Sequence, residues 1–145
     1  MDEQQDAGAD FPVLDADARC PCLSGEVFGA CCGPVHADRA AGGPGAATAE
    51  ALMRSRYSAF VTGDAAYLLA SWHPSTRPAE LDLDPSMSWR RLDIVDTVAG
   101  GPFEGTGIVE FAAHYRQDGR RGVQRERSTF LREAGRWFYL EAVAG

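Results

Sequence analysis

The sequence predicts an α+β fold, helices first and an antiparallel sheet after, preceded by a small metal knuckle. Three observations carry this. All four cysteines fall within residues 20–32, "CPCLSGEVFGACC". From residue 48 to residue 72, apolar residues recur at helical spacing. From residue 88 onward the pattern changes to period two, with turn signals between the runs.

The elements follow from local chemistry. Residues 1–18 are acidic, rich in small residues and without period, and are expected to form a mobile arm. The metal-binding module occupies 19–36. "ADRAAGGPGAA", residues 37–47, reads as a linker, because Gly and Pro oppose any regular element there. Residues 48–145 form the α+β domain. Thr48 is a suitable N-cap, with Glu50 in the first turn where the helix dipole favours an anion. Leu52, Met53, Tyr57, Phe60 and Val61 then mark one helical stripe, and Gly63 suits the position after its end. Asp64 can cap a second helix, "AAYLLASW", which His73-Pro74 should end. Four strands follow: "SWRRLDIVDTV", "GIVEFAAHYR", "VQRERSTFLRE" and "WFYLEAV". In the second, Val109, Phe111, Ala113 and Tyr115 share a face. "DGRRG" is a hairpin signal, and "AGR" a second turn.

Composition bounds the function. The chain has 145 residues, 45% of them apolar, enough for one buried core with a small appendage. Its formal net charge is −7, and all 14 basic residues are arginine. That balance disfavours broad binding to nucleic acid or to an anionic membrane. No apolar run approaches the roughly 18 residues that cross a bilayer. "MDEQQDAGADFP" lacks the basic and apolar regions of a secretory signal, so a reducing cytoplasm is the expected compartment.

Three readings of the cysteines compete. Disulfides would need an oxidising compartment, and the close neighbours Cys20/Cys22 and Cys31/Cys32 would make strained pairs. Idle thiols would have to be clustered by chance. A tetrahedral thiolate site explains the C-x-C-x8-C-C spacing directly, with Cys20, Cys22, Cys31 and Cys32 as ligands. Pro21 stiffens the first pair, Ser24-Gly25 turns the loop back, and Phe28 supplies an aromatic cap. His36 is an alternative ligand if one of the adjacent cysteines stays out. Zinc suits four thiolates, and iron is an alternative. A closed four-sulfur site has no open coordination position, so it would be structural rather than catalytic.

"CPCLSGEVFGACCG" resembles the SEC-C motif, a small metal-binding module of the SecA translocation motor and of several small bacterial proteins. "ALMRSRYSAFVTGDAAYLLASWHPST", "RLDIV", "VEFAAHYR" and "ERSTFLREAGRWFYLE" are similar to the YchJ family, in which that motif precedes a nuclear transport factor 2-like domain. The resemblance implies a cone-shaped α+β domain with a curved antiparallel sheet wrapped round helices. It implies that the module is a docking surface for a protein partner such as the SecB chaperone or the ribosome, and that two sheets can pair into a homodimer. Two departures stand out. Glu26, Val27, Gly29 and Ala30 replace the basic residues usual around the aromatic, which removes the surface that would favour ribosomal RNA. Leu23 stands where the motif usually has glycine.

The second domain shows no nucleophile–base–orienter set, no purposeful pair of carboxylates and no phosphate loop. The expected function is therefore non-enzymatic: a metal-binding interaction protein. The alternative is a small-molecule or catalytic pocket, isomerase- or hydrolase-like, built from Arg56, Tyr57, His73, Tyr115 and Glu126. Arg56 lies along the apolar stripe and needs a partner if buried, for which Glu126 is the candidate. His73 suits a general base, although a histidine beside proline is more often a turn residue. Glu110 and His114 should face solvent or a partner subunit.

Overall fold

A computed structural model describes residues 11–143. Three α-helices, α1 (Cys32–Ala40), α2 (Ala49–Thr62) and α3 (Ala65–Ala70), precede four strands, β1 (Met87–Ala99), β2 (Thr106–Gln117), β3 (Arg120–Glu133) and β4 (Arg136–Ala142). The strands form one antiparallel meander in the order β1-β2-β3-β4. No helix of the described residues is long and apolar enough to cross a membrane.

Two hairpins set the register. Asp118-Gly119 and Ala134-Gly135 each place two consecutive residues at φ between 53° and 78°. Positive φ at both central residues suits a two-residue turn whose twist matches the strands. Gln117 therefore pairs with Arg120, and Glu133 with Arg136. β3 consequently starts three residues earlier than its sequence pattern suggests. The pairing puts Val109, Phe111 and Ala113 of β2 on the helix side with Phe130 of β3 and Trp137 of β4. Leu52, Met53 and Tyr57 of α2 pack on this face.

Helix α2 begins where Thr48 Oγ1 accepts the Ala51 amide at 3.0 Å, and it stops at Gly63, left-handed at φ 74°. Asp64 Oδ1 then caps α3 by accepting from the Tyr67 amide at 3.0 Å. The approach of α2 to the sheet depends on missing side chains. A Cβ on Gly107 would lie 2.6 Å from Gly100 Cα and 3.1 Å from the Ala49 methyl.

Two expectations need correction. The stretch read as a linker, 37–47, is helical as far as Ala40 and irregular from Ala41. Pro34 falls in the first turn of α1, where its missing N–H costs nothing, so a helix starts despite Gly33-Pro34. Of the expected mobile arm, residues 1–10 lie outside the described residues. Residues 11–18 are held in place: Phe28 N–H donates to the Ala18 carbonyl and Gly29 N–H to that of Ala16, at 2.7 and 2.9 Å. Phe11 packs so closely on Gly63 that a Cβ there would meet its ring at 2.6 Å.

Candidate metal centre and adjoining cavity

The cysteines sit in a knuckle built by backbone hydrogen bonds. Arg19 and Val27 bridge antiparallel, the Cys20 amide donates to Glu26 O at 2.9 Å, and the Leu23 amide turns back to Cys20 O at 3.1 Å. That turn requires φ 64° at Leu23, a left-handed conformation that glycine adopts most readily. The glycine usual in the motif thus has a conformational reason, and Leu23 occupies the position at some cost. A 3-10 turn, Phe28–Ala30, leads to Cys31, and α1 starts at Cys32. The loop and the helix start therefore face each other.

All four sulfurs lie within 4.8 Å of one another. Cys22 and Cys31 are 3.6 Å apart, and Cys31 and Cys32 3.9 Å. A tetrahedral ion with bonds of about 2.3 Å sets its sulfurs about 3.8 Å apart, so the donor set fits one tetrahedral metal ion. Cys20, Cys22 and Cys32 are buried, Cys31 partly so, and Phe28 packs against them. The neighbouring Cys22 and Cys32 thiols hold the Cys20 sulfur well below the usual thiol range. In return Cys20 pushes Cys22 and Cys32 up. Like charges this close oppose joint ionisation, and a divalent cation would remove that opposition.

Groups around the sulfurs tie the knuckle to the second domain. Ser24 Oγ lies 3.1 Å from Cys31 Sγ, and Ser58 Oγ of α2 lies 3.6 Å from Cys20 Sγ. Arg54 Nη1 donates to Cys22 O at 2.6 Å while its Nε bonds Glu50. His36 does not join the thiols. Its Nε2 is 2.8 Å from the Ser55 carbonyl and so carries the proton, and the ring meets Phe28 edge-on and lies tilted against Tyr67. Sequence reading missed Ser55, Ser58 and Arg54. The available signal was Ser55, Ser58 and Ala59, a small-residue stripe beside the apolar one, which gives α2 a second face for close packing.

The opposite face of α2 meets a second feature. A cavity of about 210 Å³ opens between the helix and the sheet, walled by Met53, Phe60, Trp72, Trp89 and Phe111 and carrying Arg56, Tyr57, Gln124, Glu126 and Tyr139. Three of the five expected pocket residues, Arg56, Tyr57 and Glu126, therefore share one cavity, while His73 and Tyr115 lie elsewhere. Trp72 bridges to Tyr139 and lines the cavity, whereas its neighbour His73 lies outside it, with its ring edge-on to Phe138. There His73 Nδ1 bonds Ser75 Oγ at 2.7 Å and Nε2 approaches Glu133 at 3.0 Å. Tyr115 lies against Trp89 and Gly122, beside an exposed groove that also holds Arg90, Arg91, His114, Arg116 and Arg121.

Arg56 is 3% exposed. Its Nη1 donates to Leu68 O and Ser71 Oγ at 2.8 and 2.7 Å, and the guanidinium lies 4.6 Å from the Tyr139 ring centre and 5.1 Å from that of Trp72. It does not bond Glu126 directly, as the sequence suggested. Glu126 Oε2 accepts from Ser128 Oγ and from the Tyr139 hydroxyl, at 2.6 and 2.8 Å, and the Tyr139 ring stands between the charges. Glu110 pairs with Arg127 at 3.0 Å and His114 with Asp93 at 2.9 Å, both on the open side of the sheet.

Comparison with known proteins matches both parts. Residues 48–142 match the family described as "YchJ, middle NTF2-like domain", and residues 18–34 match the SEC-C motif. A UPF0225 protein of Streptomyces coelicolor is 54% identical over 84% of the chain and 92% of its own length. One from Xanthomonas oryzae is 51% identical over 91% and 99%. The solution structure of a SEC-C motif containing protein from Rhodopseudomonas palustris superposes with a TM-score of 0.72 at 33% identity, covering 87% of this chain and 98% of that one. A crystal structure of a SEC-C motif containing protein from Psychrobacter arcticus gives 0.70 at 25% identity, covering 87% and 83%.

Proposed function

The chain belongs to the YchJ family, and from that premise we propose that it is a non-enzymatic, metal-stabilised interaction protein. Cys20, Cys22, Cys31 and Cys32 hold one zinc ion as thiolates, and the knuckle so formed presents a docking surface to a protein partner. The observation that carries the reading is the closed, largely buried set of four sulfurs at tetrahedral spacing. Four protein ligands leave no position for substrate or water, so the ion organises the loop and does no chemistry. Iron is the alternative ion that an all-sulfur set accepts.

The docking part of the proposal rests on what the knuckle exposes. Leu23 and Val27 are 45% and 40% accessible on the knuckle, with Glu26 between them in sequence. An apolar pair beside a carboxylate suits a protein partner better than an RNA backbone. Of the two partners implied by the motif, a SecB-like chaperone is thus preferred over ribosomal RNA.

The test is a binding measurement with the purified chaperone and with ribosomes, on the wild type and on a Leu23→Asn/Val27→Thr variant. Asn tolerates left-handed backbone and Thr keeps β-branching, so the knuckle should keep its metal and its melting temperature. The expected result is chaperone binding that weakens at least tenfold in the variant. Equal binding by both proteins, or none by either, would remove the docking role and leave the metal site standing.

A further inference from the structure

The cavity on the other face of α2 has a chemistry of its own, independent of the metal. Arg56 is a buried cation, and among the described residues no carboxylate comes within ion-pair distance of it. Among the described residues its hydrogen bonds run through Nη1, with none from Nε or Nη2. Burial pulls the guanidinium down only to about 10, so it is charged at neutral pH. Trp72, in the same wall, adds an indole N–H that is buried without an acceptor. Two donors short of acceptors therefore adjoin one cavity, and a buried cation without a counter-ion is costly unless an anion arrives to meet it. The planar fork of an arginine matches a carboxylate, which accepts two parallel hydrogen bonds.

The walls define the rest of the ligand. Trp72, Trp89, Phe60 and Phe111 offer ring faces and edges, which suit an aromatic body. The volume, about 210 Å³, exceeds the roughly 150 Å³ that accommodates benzene in a protein interior. It leaves room for one ring with a carboxylate and little more. Glu126 spends Oε2 on Ser128 and Tyr139 and retains Oε1 as an acceptor for a donor on the ligand.

We propose that this cavity binds a single-ring aryl carboxylate, with its carboxylate on Arg56 and its ring between the tryptophans, and with a ring hydroxyl preferred by Glu126. A purely structural Arg56, tying α2 to the end of α3, predicts no such ligand, and an isostere series separates the two.

Benzoate, 4-hydroxybenzoate, neutral benzamide and cationic benzylamine are titrated into the intact metal-loaded protein, with the Arg56 Nε–H and tryptophan indole N–H resonances followed by NMR. Benzoate should saturate and shift those signals, 4-hydroxybenzoate should bind more tightly, and benzamide and benzylamine should bind at least tenfold more weakly. Ala113→Leu, which adds bulk to the cavity wall and removes no polar group, should abolish binding. Arg56→Lys, which keeps the charge and loses the fork, should weaken it at least tenfold. No saturable binding by either acid overturns the proposal. So does benzamide binding as well as benzoate, or undiminished binding in Ala113→Leu. Should Ala113→Leu fail to fold, the isostere series on the unaltered protein decides alone.

Discussion

Removing the metal is expected to unfold the knuckle and to lower the melting temperature of the whole chain by about 8 °C or more. An ion that binds only the folded state stabilises it by RT ln(1 + [L]/Kd), about 4 kcal/mol when the free ion stands at 1,000 times Kd. In a domain of this size each kcal/mol moves the transition by at least about 2 °C. The loss extends beyond the module because the module covers α2. Ser58 is fully buried against Cys20, and Arg54 and Ser55 carry the module's anchoring hydrogen bonds to Cys22 and His36. A Cys22→Ser/Cys32→Ser variant should therefore purify without metal, melt early, and show new proteolysis between residues 19 and 36. Chelation of the wild type should reproduce this, and readdition of zinc should reverse it in the wild type alone. A variant that melts with the wild type would show that the knuckle is held by packing and not by an ion.

The second large effect lies at the far side of the core. Trp137 is 1% exposed, packs within the main apolar cluster, and donates its indole N–H to Ala47 O at 3.2 Å. It is thus the point where β4 holds the irregular chain that leads into α2. Trp137→Ala should cost about 3–5 kcal/mol, the range for a large aromatic removed from a packed interior. Typical domain stability is only about 5–15 kcal/mol, so the variant should be partly unfolded at 37 °C. Urea denaturation followed by circular dichroism measures this. Glu141→Ala, an exposed change on the same strand, should stay within about 0.5 kcal/mol. A comparable loss in both would point to the strand edge, not to the core.

How much of this was legible depended on whether a signal was local. The strands and the two helices of the main domain were, because alternation and caps are properties of neighbouring residues: Thr48 and Asp64 do as caps what their types predict. Helix α1 was not, because Gly33 and Pro34 conceal its start, and the knuckle fixes it through Cys31 and Cys32. The cysteine cluster was legible from spacing, whereas Ser58, Arg54 and Ser55 come to it only through the tertiary packing of α2. The same limit explains the cavity. Arg56 and Tyr57 stood out as polar groups along an apolar stripe. His73 looked more reactive than Trp72, yet the tryptophan lines the cavity and the histidine lies outside it. Glu126 reaches Arg56 only across the Tyr139 ring, a relation that no sequence separation encodes.

The knuckle's role depends on one closed site of four sulfurs, and X-ray absorption at the metal edge of the purified protein reads that site directly. The prediction is one ion per chain, with four sulfur scatterers at about 2.3 Å and no nitrogen or oxygen in the first shell. A shell containing a histidine nitrogen or a water oxygen, or protein without stoichiometric metal, would contradict it.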